Sequence, residues 1–232
     1  MNTRVLLKLS GEALSGQDSR GFDPERLAFL VKQVKQVVEQ RVQLGIVVGA
    51  GNIVRGRDLS ELSPVSADHV GMLGTLINSL YLKDVFVNSG IKSVVVSPVS
   101  FSPAFNAMNY DAINEMFDTG ALVIFGGGTS LPFLTTDTAA AMKAIEFGAD
   151  LLIKGTKVDG IYTADPVRDS SAKKISRITY SEAINRRLEV MDTEALSLCR
   201  RYSVKIIVLD MFKDGNLYNA IMGNDVGSVV EA

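Results

Sequence analysis

Three glycine-rich stretches hold most of the chemistry that this 232-residue sequence could perform: Lys8-Leu9-Ser10-Gly11, Gly49-Ala50-Gly51-Asn52 and Gly126-Gly127-Gly128-Thr129. Glycine lets backbone N–H groups come close to an anion, and a helix starting just beyond adds its partial positive charge. One such loop often only turns a corner; three in one chain point to phosphate. Lys8 and Arg55 supply cations and Asp137 or Asp165 anions. A lysine at the end of a buried strand can neutralise charge on a transferring phosphoryl group, or simply snorkel to solvent. Two standard nucleotide motifs fail. The spacing from Gly51 to Gly56 fits a Walker A loop, but Arg57 and Asp58 stand where Lys and Ser or Thr belong. Gly49 and Gly51 open a dinucleotide fingerprint whose third glycine, Gly56, comes two positions late. His69 follows Asp68 directly, and neighbours on a helix point about 100° apart, so the two cannot form an oriented acid–base pair.

Composition narrows the classes further. With 24 basic and 26 acidic residues the net charge is −2 and no basic block occurs, which argues against a bulk polyanion such as duplex DNA. Cys199 and His69 are the sole representatives of their types, so disulfide frameworks and Cys/His zinc clusters are excluded, and no metal site is expected from side chains alone. Apolar runs such as 46–48 and 94–96 are short against a bilayer, and Met1 leads straight into a strand without a signal-peptide pattern. The expectation is a soluble protein of a reducing, cytoplasmic compartment.

The elements that must position these residues alternate along the chain. Strands are expected at 4–9, 45–48, 93–97, 121–125, 151–154, 205–209 and 228–231, mostly as continuous apolar runs suited to a mainly parallel sheet buried on both faces. Helix signals lie between them: Asp23 caps, Pro24 takes the first helical position, and Leu27, Leu30, Val31, Val34, Val38 and Val42 form one stripe ended by Gly45. Thr179 and Glu182 have capping-box spacing, and Asp192 precedes a further helix. The polar segment 163–178 is expected to be a lid or a surface loop. The alternation defines an α/β layered fold, expected as one domain over residues 1–232, with ligands beyond the carboxyl ends of the strands.

Five strings then carry a resemblance: LLKLSGEAL (6–14), GAGNIVRG (49–56), ADHVGMLGTLIN (67–78), PFLTTDTAA (132–140) and TKVDGIYTADP (156–166). Together, in order and over nearly the whole chain, they resemble the amino acid kinase family, and the third and fourth resemble its bacterial UMP-phosphorylating branch. The resemblance implies a three-layer α/β/α sandwich with a mainly parallel central sheet, in which ATP and UMP meet above the strands. It implies that Lys8, Leu9, Ser10, Gly11, Gly51 and Arg55 hold ATP phosphates, and that Thr156, Tyr162 and Asp165 line the adenine and ribose side. Asp68 would read the UMP ribose, beside Ala50. Thr129, Ser130, Leu131, Pro132, Phe133, Leu134, Thr135 and Thr136 would wrap its phosphate and uracil. Lys8, Arg55 and Asp137 would flank the transferred group. It also implies Mg²⁺ carried mainly by the nucleotide phosphates, a homohexamer, a cytoplasmic location and a place in pyrimidine nucleotide synthesis.

This sequence departs from that branch at Ala50, where glycine is usual, and at Ser130 and Leu131, where Gly-Asn is usual. Backbone N–H groups of residues 129–131 are expected to hold the acceptor whatever side chains stand there. A phosphate monoester has its second pKa near ~6, so its oxygen attacks without a general base. Positioning and charge stabilisation would then suffice, as suits a chain with one histidine. The competing readings are a family member with a carboxylate acceptor, such as acetylglutamate or glutamate, and a non-catalytic nucleotide-binding protein on the same scaffold.

Overall fold

The structure, a computed structural model, describes residues 3–16, 20–99, 105–166, 168–188 and 190–232. The first strand, β1 (Arg4–Leu9), is apolar on both faces after Arg4 except at Lys8 and forms the middle of the sheet. On one side it pairs in parallel with β2 (Gln43–Val48), and β5 (Leu122–Phe125), β3 (Ser93–Ser97) and β4 (Asn106–Ala107) continue outward. On the other it pairs in parallel with β6 (Leu151–Thr156), followed by β10 (Lys205–Asp210), β11 (Ser228–Glu231) and β9 (Arg177–Thr179). Only β11 against β10 is antiparallel in this nine-stranded sheet. The chain therefore fills one half of the sheet, then crosses β1 and fills the other, which leaves a switch point above β1.

Alternation along the strands sends side chains into two separate cores, the mark of three layers. Leu7, Leu9, Ile46, Val48 and Ile153 face α1 (Pro24–Val38), α2 (Pro64–Asn88) and α7 (Asn216–Ile221). Leu6, Val47, Val123 and Leu152 face α3 (Tyr110–Asp118), α4 (Thr136–Glu146), α5 (Tyr180–Asn185) and α6 (Thr193–Tyr202). α4 turns Ala139, Ala140, Ala141 and Ala144 toward the sheet, and these small residues let its first turn sit close over β1. The expected caps form: Asp23 accepts from the Arg26 N–H with Pro24 behind it, Thr179 and Glu182 make the reciprocal capping box, and Asp192 caps α6.

All seven expected strands are present, with ends moved by one or two residues. Four strands of two or three residues were not expected, because so short a run has no readable period. Three of them correct the reading of 163–178 as a lid or loop: β7 (Ile161–Tyr162) pairs antiparallel with β8 (Lys174–Ile175), and β9 begins at Arg177. Thr163 and Lys173 close the segment's base, backbone N–H to carbonyl at 3.0 Å and N–H to hydroxyl at 2.9 Å.

α2 is long and apolar enough by length and composition to cross a bilayer, although no continuous apolar run within it is long. It is a core helix with two apolar sides. Leu76, Leu82 and Phe86 are buried, with Thr75, Asn78 and Ser79 hydrogen-bonded among them, while Leu73, Ile77 and Tyr81 stay exposed.

Candidate functional site

Lys8 interrupts the apolar run of β1 on the α4 side of the sheet, and its in-register partner on β6 is another lysine, Lys154. Two ammonium groups on adjacent strands need an anion between them, and the first turn of α4 brings one. Asp137 Oδ1 lies 2.6 Å from Lys8 Nζ and Asp137 Oδ2 2.9 Å from Lys154 Nζ, all three side chains being largely buried. The Thr135 hydroxyl accepts from the Asp137 N–H and so fixes the start of the helix, whose dipole favours a carboxylate there. Burial by itself would raise Asp137, but the charges and hydrogen bonds of Lys8 and Lys154 outweigh it and hold the carboxyl below its usual range. Burial depresses Lys154, against the pull of Asp137. Lys154 also donates to the Val190 carbonyl. Asp192 accepts from the hydroxyls of Thr135 and Thr138, tying α6 to the same corner.

Lys8 of this triad reaches a cavity of about 390 Å³ at the carboxyl ends of β1 and β2. Lys8, Ser10, Gly11, Ala50, Gly51, Arg55, Asp68, Gly128, Thr129, Leu134, Thr135 and Thr136 line it. The loops after β1 and β2 are stacked so closely that a Cβ on Gly11 would meet the Gly51 nitrogen at 2.5 Å, which is why only glycine serves there. Arg55 is held by an ion pair to Glu12, whose other oxygen is 3.7 Å from Lys157 Nζ. A second recess of about 160 Å³ over β1 and β6 shares Lys8, Ser10 and Glu12 with the cavity and adds Lys154, Thr156, Lys157 and Phe212. Tyr162 and Asp165 line a third, of about 340 Å³. Among the described residues no cluster of carboxylate, histidine and cysteine side chains could hold a metal ion by itself.

The loop after β5 coils tightly. Gly127, Gly128, Ser130 and Phe133 all have positive φ, at 81°, 57°, 61° and 68°. Ser130 thus occupies a left-handed position that the usual glycine would take without strain. Asp68 on α2 reaches across to accept from the Phe133 N–H at 2.7 Å. One expectation is corrected here. The N–H of Ser130 bonds to the Gly127 carbonyl at 3.1 Å and that of Leu131 to the Thr129 hydroxyl at 3.1 Å, so two of the three N–H groups expected to hold the acceptor serve the loop's own turn. The side chains of Leu131 and Phe133 are 56% and 72% exposed, and Ser130, Leu131, Pro132 and Phe133 do not line the cavity. Leu9 is fully buried and offers only its backbone.

Lys8 does not snorkel to bulk solvent; it ends on Asp137. His69 is exposed and does not line the cavity that Asp68 enters. Sequence reasoning missed Lys154, Glu12, Lys157 and Asp192. Lys154 had a signal: a lone lysine inside the apolar strand LLIKGT, facing the same way as the lone lysine of RVLLKL.

This sheet order, with glycine loops and a Lys–Asp–Lys cluster at its switch point, defines a phosphate-handling α/β protein. The chain belongs to the amino acid kinase family, whose profile matches residues 3–210. It is 55% identical over 230 residues to the uridylate kinase of Thermosipho melanesiensis, covering 99% of both chains. Against that of Fervidobacterium nodosum it is 56% identical over 230 residues, covering 99% of this chain and 98% of the relative. Among solved structures it resembles the UMP kinase of Bacillus anthracis with a TM-score of 0.95 at 33% identity, over 99% of this chain and 96% of that one. The UMP kinase of Ureaplasma parvum gives 0.93 at 28%, over the full length of both.

Proposed function

We propose that this chain transfers the γ-phosphoryl group of ATP to UMP, giving UDP and ADP. The observation that carries the reading is the Lys8–Asp137–Lys154 cluster, whose Lys8 lines a glycine-rich cavity, in a chain more than half identical to uridylate kinases over its length. UMP occupies the cavity bounded by Ala50, Asp68, Gly128, Thr129 and residues 134–136. ATP enters over β1 and β6, with Thr156, Tyr162 and Asp165 toward its adenine and ribose. An oxygen of the UMP phosphate attacks the γ-phosphorus while the bond to the bridging oxygen of ADP breaks. Lys8 and Lys154 neutralise the charge that spreads over the equatorial oxygens, and Arg55, released from Glu12, adds a further cation. Asp137 holds the two ammonium groups at one height, so their geometry is set before substrate arrives.

Asp137 and Glu12 already face cations, so the donor set fits Mg²⁺ carried through the nucleotide phosphates, where it would neutralise β- and γ-oxygens. The same reading takes the chain as one domain, cytoplasmic, and a homohexamer; the exposed stripe of Leu73, Ile77 and Tyr81 on α2 supplies an apolar face for a second copy.

The test is ADP release with Mg-ATP against a panel of UMP, CMP, AMP, glutamate and acetylglutamate. Turnover confined to UMP, or strongly favouring it, is expected. Turnover with an amino acid and none with UMP would assign the carboxylate-acceptor reading, and none with any acceptor the non-catalytic one.

A further inference from the structure

Beneath the glycine loop that follows β2 lie two amides that do not reach the cavity. Asn52 and Asn78 are 2% and 0% exposed. Asn78 Nδ2 donates to the Gly49 carbonyl and to Asn52 Oδ1, both at 2.7 Å. Asn52 Nδ2 donates to Asn78 Oδ1 at 3.1 Å and to the Gly21 carbonyl at 2.9 Å. Each amide carries two N–H donors, so all four are spent and both side-chain oxygens have a donor. A leucine pair would fill the same space with no polar group to satisfy, whereas a buried amide left unmet is costly. Such a fully paired cluster specifies one arrangement of the backbone around it.

The backbone it specifies is that of the phosphate loops. Gly49 and Gly51 line the cavity on either side of Ala50. A Cβ on Gly11 would lie 2.5 Å from Asn52 Oδ1, so Asn52 also bounds the gap between the first and second loops. The same face of α2 holds the neighbouring loop, since Thr75 Oγ1 accepts from the Gly127 N–H at 2.9 Å.

We infer that Asn78, acting through Asn52, is a positioning residue that sets the height of the Gly49–Gly51 backbone for the triphosphate of the donor nucleotide. The inference rests on the phosphoryl-transfer reading above. The Gly49 N–H is taken by the Leu9 carbonyl at 2.9 Å, so a change at Asn78 would act on donor phosphates through the Gly51 N–H, while leaving Lys8, Lys154 and the acceptor loop in place.

Three variants test it: Asn78→Leu, Asn52→Ala and the two combined, each assayed well below its own unfolding midpoint. In Asn78→Leu the KM for ATP should rise tenfold or more, and the KM for UMP, whose cavity the same loop bounds at Ala50, should rise by less. The double variant should be no more than twofold worse than the worse single one, because both break one device. A lowered midpoint with the KM for ATP within twofold of the parent would make the amides plain core packing and overturn the inference, as would losses that multiply. If Asn78→Leu does not fold, Asn52→Ala alone decides, with a rise of fivefold or more expected and an unchanged KM overturning it. Should the parent protein fail to turn over UMP, the functional reading falls, while calorimetric titration of Mg-ATP into parent and variants still decides the positioning role.

Discussion

Asp137→Asn keeps the shape of the side chain and removes the only charge between two ammonium groups. With Nζ atoms at 2.6 and 2.9 Å, each attraction is about 6 kcal/mol at an effective dielectric near 20, before any cost of dehydration. Dehydrating three charges and the Lys8–Lys154 repulsion offset most of that sum. Removing one member of a buried ion pair costs about 3–5 kcal/mol, because the partner's charge is left uncompensated. Here two partners are left, so urea unfolding at pH 7 without nucleotide should show a loss in that range. The pH dependence has a defined sign. Asp137 is held below its unfolded value of about 3.9, so its contribution is complete above that value and is lost as pH falls through the folded one. The gap between parent and variant should therefore be flat from pH 7 to about pH 5 and close below about pH 4. Mg-ATP, whose phosphates supply anions to Lys8 and Lys154, should stabilise the variant more than the parent. A loss under 1 kcal/mol at pH 7, or a gap that stays constant down to pH 3, would refute the account of this cluster.

Lys8→Ala should lower kcat by about a hundredfold or more with a much smaller change in nucleotide KM, since its contact strengthens as charge develops on the transferred group; near-normal kcat would remove it from the chemistry. Lys154→Met should do the same to kcat, and a steady-state assay that finds it within threefold of the parent would leave Lys154 as a structural counter-ion of Asp137. His69→Gln, on the exposed side of α2, should stay within a few fold and leave the pH–rate profile without a histidine limb. Leu131→Asn should change kcat/KM for UMP by less than about threefold, because that side chain points away from the cavity; a rise above tenfold, about 1.4 kcal/mol, would show that it reaches the acceptor.

Where one local rule decides, the sequence was legible. Asp23 with Pro24, Thr179 with Glu182, and the apolar runs of the long strands each announce themselves within a few residues. The three glycine loops were legible too, because backbone approach to an anion needs glycine whatever surrounds it. Lys154 was not, since its meaning depends on β6 lying beside β1 in a register that puts it opposite Lys8, and that pairing joins residues 146 apart. Glu12 was hidden for a similar reason, as nothing near it in the chain shows that Arg55 and Lys157 converge on it. The N–H groups of Ser130 and Leu131 misled because a loop was credited with donors it needs for its own turn.

Because β1 is the seam of the sheet, the transfer site cannot exist in any part of the chain that ends before β6. A growing polypeptide that has emerged through α4 already owns Lys8, Asp137 and all three glycine loops, yet one wall of the reaction chamber is still missing. Only when residues 151–156 add on the far side of β1 does the second ammonium group arrive. Synthesis thus completes the Lys8–Asp137–Lys154 cluster in a single late step, when β6 joins β1.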